Sequence, residues 1–163
     1  MSGIYSYYSG QFLTVFWTGP DPTGTAFTTS ASRPNVTIRA DQLRDGNLSG
    51  DQRTVTRWFD ASAFSGPPIG RFGSSAKGVI VGPHVNVWHM GLFKSFYIRE
   101  NIKLRYEVTA TNIFNHPIYN NPATNISTVA SVGVITGVGL VNGASTGDQP
   151  GARNFRMGLR LEW

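Results

Sequence analysis

The last ten residues, Asn154 to Trp163 (NFRMGLRLEW), alternate without a break. Phe155, Met157, Leu159, Leu161 and Trp163 fall on one parity, and Arg156, Gly158, Arg160 and Glu162 on the other. Successive side chains of a strand point to opposite faces, so this period describes a strand with one apolar and one ionic flank. Lys103 to Phe114 repeats the pattern, with Leu104, Tyr106, Val108 and Ala110 against Arg105, Glu107, Thr109 and Thr111. A helix over the same residues would set Arg105, Thr109 and Asn112 beside Val108 and leave no clean apolar face. His84 to Ile98 carries Trp88, Met90, Leu92, Phe96 and Ile98 on one parity, broken by Asn86 and Lys94. The polar turn Arg99-Glu100-Asn101-Ile102 joins these two runs into an antiparallel hairpin. Ile4 to Trp17 is a fourth, aromatic-rich candidate, interrupted at Ser9-Gly10. The expected class is all-β, with long antiparallel amphipathic strands near 4–17, 84–98, 103–115 and 154–163 in a single region, 1–163. Two long loops, 18–83 and 116–153, separate them; short strands at Val36 to Ala40 and Arg53 to Phe59 and a helical turn at Asp41 to Leu43 are expected in the first.

Composition removes several function classes. With Cys 0, a disulfide scaffold, a cysteine-ligated zinc site and a thiol nucleophile are excluded. The net charge of +5 is carried by basic residues scattered singly, whereas a nucleic-acid binder masses them to neutralise several phosphates; no nucleic-acid partner is expected. No apolar run is long enough for a transmembrane helix. Met1 to Gly10 has neither the basic start nor the apolar core of a signal peptide, which is expected to be absent from this chain. His84 and His89 stand on opposite parities and His116 precedes Pro117 at a loop entrance, where it is expected to cap a turn, so no metal site is expected. The carboxylates are dispersed, and Ser9-Gly10 and Gly73-Ser74-Ser75 lack the context of a nucleophile elbow; no catalytic residue and no cofactor are expected.

Charged residues are only 14% of the chain and aromatics 12%. Large aromatics cluster toward strand ends at Trp88, Tyr97, Phe114, Phe155 and Trp163, while the opposite parity holds Arg, Glu, Thr, Ser and Gly. A transmembrane β-barrel needs this division, with hydrocarbon outside, water inside and aromatic rings at both interfaces. With the turn at 99–101 on the periplasmic side, both long loops are external. Arg105, Glu107, Arg156 and Arg160 then face the lumen, either toward a plug or an anionic solute or as a cross-strand charge ladder. Two alternatives remain open. One is a complete small barrel that drafts 34–40, 53–59 and 129–138 as extra strands. The other is a secreted carbohydrate-binding β-sandwich, with Trp58, Phe59 and Phe64 stacking on sugar rather than packing a loop.

Arg156, Gly158, Leu161 and the terminal Trp163 resemble the β-signal by which bacterial outer-membrane proteins are recognised for barrel assembly. Further stretches resemble TonB-dependent outer-membrane transporters of the type with an N-terminal carboxypeptidase-regulatory-like domain. RWFDASAF (Arg57 to Phe64) is similar to the family's WF(N/D)xxAF segment, and YYSGQFLT (Tyr7 to Thr14) to YxSGxPFT. Arg71-Phe72-Gly73, Gly82-Pro83 and Asn86-Val87-Trp88 are similar to the approach to a late barrel strand, and Leu92 to Phe96 to its LFKNF. Arg105 to Val108 with Asn112 to Pro117 is similar to FRxExxNxFNHP. The matches run in order over roughly Ser6 to Trp163. The resemblance implies the C-terminal part of a barrel of about 22 strands closed around a plug, a nutrient-uptake receptor in the bacterial outer membrane that does not transport alone. Its implied partners are the remainder of the barrel and the plug, outer-membrane lipid and the barrel-assembly machinery, with the TonB complex engaged only through N-terminal parts outside this chain.

Overall fold

The structure, a computed structural model, describes residues 1–25, 35–138 and 152–163. Its ten strands are β1 (Ser2–Tyr8), β2 (Phe12–Leu13), β3 (Phe16–Pro20), β4 (Asn35–Arg39), β5 (Asp41–Gln42), β6 (Phe64–Ser65), β7 (Ile80–Val81), β8 (Val85–Arg99), β9 (Ile102–Thr111) and β10 (Asn154–Glu162). The described residues contain no α-helix, only a 3-10 turn at Ala61–Ala63. The chain divides into two compact units, one of segments 1–9, 84–120 and 137–163, the other of 10–83 and 121–136.

The first unit is a four-stranded antiparallel sheet in the order β1-β8-β9-β10. The β8–β9 hairpin sets the register, with Leu92 opposite Val108 and Phe96 opposite Leu104, and an irregularity at Tyr97/Arg99 absorbs the turn. β10 continues the register with Met157 opposite Val108 and Leu161 opposite Leu104. Tyr8 stands opposite Val85 and Thr111 opposite Asn154, so the strand ends bordering both long intervening segments lie at one end of the sheet. The hairpin turn lies at the other. β9 stops at Thr111, short of the expected 115, because Asn112 turns left-handed (φ 48°). The Asn112 side chain accepts the His116 N–H at 2.9 Å and donates to the His116 carbonyl at 2.8 Å, closing the turn. Asn112, not the His116 side chain, is therefore the capping group.

The expected strand 4–17 is divided. β1 ends at Tyr8, and Phe12–Leu13 and Phe16–Pro20 pair instead with β7 and β4 in the second unit. The break falls where Gly10 lies so close to Gly82 that a Cβ at position 10 would come within 1.9 Å of the Gly82 carbonyl oxygen. Much of the expected loop 18–83 is likewise ordered by a core of Val15, Ala40, Phe59, Ala63, Phe64 and Ile80, flanked by Trp17, Trp58 and Val132. Phe59 and Phe64 meet edge to face at 6.1 Å, and the Trp58 Nε1–H donates to the Val81 carbonyl at 2.8 Å. These aromatics pack the unit rather than presenting rings to a sugar. Residues 53–59 form only isolated bridges (Thr54 with Arg57, Asn47 with Phe59), because the turn at 54–57 folds the segment on itself. Asp41 to Leu43 is not helical, since Asp41–Gln42 pairs with Phe64–Ser65. The parts of the two long loops at 26–34 and 139–151 lie outside the described residues.

Asp41 anchors this unit. Its carboxylate, 7% exposed, accepts both terminal nitrogens of Arg71 and, at 2.8 Å, the Ser74 N–H. Burial alone would raise its pKa; the Ser74 N–H and the Arg71 guanidinium outweigh it and hold the carboxyl below its ordinary 3.8. The unfolded chain thus binds this proton at higher pH than the folded one, so the stabilisation is complete above that ordinary value and is lost as pH falls through the depressed one. Unfolding followed by Trp17 and Trp58 fluorescence, with Trp88 and Trp163 replaced by Phe, is expected to be level from pH 7 to 5 and to weaken below about pH 4. Asp41→Asn is expected to cost about 1–3 kcal/mol at pH 7 and to shrink that acid loss.

Candidate membrane-facing and lumenal surfaces

The register collects the two parities onto two faces. Across one face run the rows Met90–Ala110–Phe155, Leu92–Val108–Met157, Lys94–Tyr106–Leu159 and Phe96–Leu104–Leu161, with Trp88 and Tyr5 beyond the first. Trp88, Leu92, Phe96, Phe155, Met157, Leu159 and Leu161 on this face are all exposed, Leu159 and Met157 about 70%. Left in water, these seven side chains, each about half exposed, would forgo roughly 6–12 kcal/mol of burial, at about 1.5–3 for each complete burial. That equals the whole stability of an ordinary domain. A β-sandwich would hide this face within its own core, whereas these side chains stand exposed.

From Trp88 to Ile98 the strand runs about 33 Å, which at a tilt of about 40° rises about 25 Å, the height of a barrel's apolar band. Aromatic rings gather at the upper end of this band. Tyr5 lies 4.6 Å from Trp88, Trp88 meets Phe114 edge to face at 6.3 Å, Phe114 lies 6.1 Å from His116, and Tyr7 lies 6.1 Å from His84. At the turn end stand Phe96 and Trp163, the latter 90% exposed, whereas Tyr97, expected among these rings, stands opposite Lys103 on the other face because its parity is that of Phe93 and Ser95. Rings at both margins match the two interfacial girdles of a membrane wall. Tyr5 and Tyr7 join this girdle only through the pairing of β1 with β8, which puts Tyr5 opposite Trp88 and which no local pattern signals.

The other face brings together all four residues expected on the polar side. Arg156 stands opposite Thr109, Glu107 opposite Gly158, and Arg105 opposite Arg160. Two like charges facing each other would destabilise the pair. Glu107 bonds Arg105 along its own strand, and Glu162 lies 3.3 Å from Arg160 and 3.9 Å from Lys103. Arg105 also lies over the Phe93 ring at 5.8 Å, and Lys103 over Tyr97 at 5.8 Å. The geometry is a continuous charge ladder with aromatic rungs, suited to a wet interior. Of the residues that resemble the assembly signal, Arg156 and Gly158 lie on this face and Leu161 on the apolar one. All three belong to β10, which pairs only with β9 among the described strands, and Trp163 follows it.

No group of three metal-ligating side chains occurs among the described residues. In the second unit, Asp60 accepts from the Ser62 hydroxyl and from Arg44 at 2.8 Å each, and these hold its pKa below the usual value against partial burial. Asn47 bridges the Val79 carbonyl and the Val81 N–H, standing in for a strand. Asp41–Arg71 and Asn47–Val79 join residues some thirty positions apart, and no local sequence signal announces such pairs.

An antiparallel sheet greasy on one side and ionic on the other, edged by aromatics, defines a membrane β-barrel protein of the outer-membrane type. The model of the family described as an outer membrane beta barrel domain matches residues 1–156, and the chain belongs to that family. Its place is accordingly the bacterial outer membrane. No curated protein and no solved structure matches it. Met157→Arg, in the middle of the apolar face, is expected to cost about 2–4 kcal/mol of membrane stability. Urea extraction of outer-membrane vesicles measures it: Met157→Arg should leave the membrane at lower urea, and Arg160→Gln should behave as wild type.

Proposed function

We propose that the chain forms C-terminal strands of the barrel of a TonB-dependent outer-membrane receptor for nutrient uptake, of the type with an N-terminal carboxypeptidase-regulatory-like domain. The observation that carries this reading is the open sheet: β1 pairs only with β8 and β10 only with β9 among the described strands. In hydrocarbon each unpaired backbone group costs several kcal/mol, so a wall of this kind needs further strands on both edges. Of the segments 34–40, 53–59 and 129–138, which a small self-contained barrel would recruit, the described residues lie outside the four-stranded sheet. The ordered motif matches, from YYSGQFLT through RWFDASAF to the His116-Pro117 loop, supply the transporter type. On this reading Arg105, Glu107, Arg156 and Arg160 line the lumen and meet water or a plug, and the strand order directs both long segments to the cell exterior. The chain carries no catalytic role and binds no cofactor. The barrel-assembly machinery reads Arg156, Gly158, Leu161 and Trp163, and coupling to the TonB complex runs through the plug-bearing part of the receptor.

The test is a split barrel. The chain is exported to the periplasm either alone or together with the plug and preceding strands of a receptor of this type from which the corresponding C-terminal strands have been removed. Co-expression is expected to give a heat-modifiable barrel and uptake that disappears in a strain lacking TonB. The chain alone is expected to give neither. Discrete conductance steps from the chain alone in a planar bilayer would sink the proposal.

A further inference from the structure

Lys94 is the one charged residue on the apolar face of the described sheet, in the row it shares with Tyr106 and Leu159. No carboxylate among the described residues pairs with it. Its ammonium lies over the Phe96 ring at 5.8 Å, so the side chain leans toward the hairpin turn, the nearer margin of the apolar band. On the side of Lys94 away from the turn the same face opens into an apolar groove of about 220 Å³, lined by Met1, Met90, Leu92, Val108, Ala110 and Phe155. Ala110, a small residue between Met90 and Phe155 in their row, leaves the space of the groove. One cation thus stands between the turn-side margin and a trough that runs on from it along the strands, away from the turn.

We propose that this surface binds one anionic glycerophospholipid, with its phosphate on Lys94 and an acyl chain in the groove. Charge complementarity and direction select this occupant. A cation facing hydrocarbon is costly unless it reaches an anion, and the acyl chain of a lipid whose phosphate sits at Lys94 runs away from the turn, where the groove lies. Short turns of outer-membrane barrels are periplasmic, and glycerophospholipids build that leaflet. The inference rests on this face meeting lipid and is independent of whether the barrel is a transporter.

The test uses the full chain, inserted in membranes alone or with complementary strands and verified by heat-shifted migration. After extraction in mild detergent it is titrated with phosphatidylglycerol or phosphatidylcholine of identical acyl chains, and bound lipid is counted by native mass spectrometry. Wild type is expected to retain phosphatidylglycerol about fivefold better than phosphatidylcholine, the worth of one headgroup cation. Lys94→Gln should abolish the preference, and Lys94→Arg and the polar-face control Lys103→Gln should keep it. Ala110→Leu, which fills the groove, should weaken both lipids equally. Equal retention of the two lipids by wild type overturns the proposal without recourse to any variant. An undiminished preference in Lys94→Gln, or a second copy of the chain in place of lipid, also overturns it.

Discussion

The pairing register of β8, β9 and β10 is the constraint on which the rest depends. Side chains alternate with a period of two, so a slip of one residue in either ladder would move every large apolar group of a strand to the ionic side. With Leu92, Val108 and Met157 in one row, the greasy residues of three strands make one continuous surface, and Arg105 and Arg160 meet across the other. The partition between lipid and water is therefore a property of the ladder rather than of any single side chain. A soluble protein would have no way to recover the free energy left on that surface.

Much of this was legible in the residues themselves. β10 and β9 show the clearest alternation, and the structure places them within a few residues of the expected bounds. Trp88 to Ile98 reads through despite Asn86 and Lys94, because two polar interruptions do not shift the parity of the others. Face membership was readable for Arg105, Glu107, Arg156 and Arg160, but neighbourhood was not. That Arg105 stands opposite Arg160, with Glu107 and Glu162 offsetting the repulsion, depends on the register of β9 against β10, which the pattern of either strand alone does not encode.

The second unit was far less legible. Its apolar residues show neither period, and they come together through contacts between positions distant in the chain. Asp41 finds Arg71, Trp58 finds the Val81 carbonyl, and Val15 meets Phe59 and Ile80 in one core. The division of the expected strand 4–17 had a visible warning in Ser9-Gly10. The reason for the break, the tight approach of Gly10 to Gly82, is written in two glycines far apart, and only the fold makes them neighbours.

That approach has a kinetic consequence. β1 and β8 are adjacent in the sheet although Tyr8 and Val85 are far apart along the chain, and bringing them together unaided would close a loop of about 75 residues. The Gly82 N–H donates to the Gln11 carbonyl at 2.8 Å, so the two termini of the intervening segment are already fastened once that segment has collapsed. What remains to close is a handful of residues, a saving of roughly 2–3 kcal/mol in chain entropy. The segment that reads as a long interruption thus acts as a clasp, converting a slow, distant strand encounter into one nearly as local as the hairpin beside it.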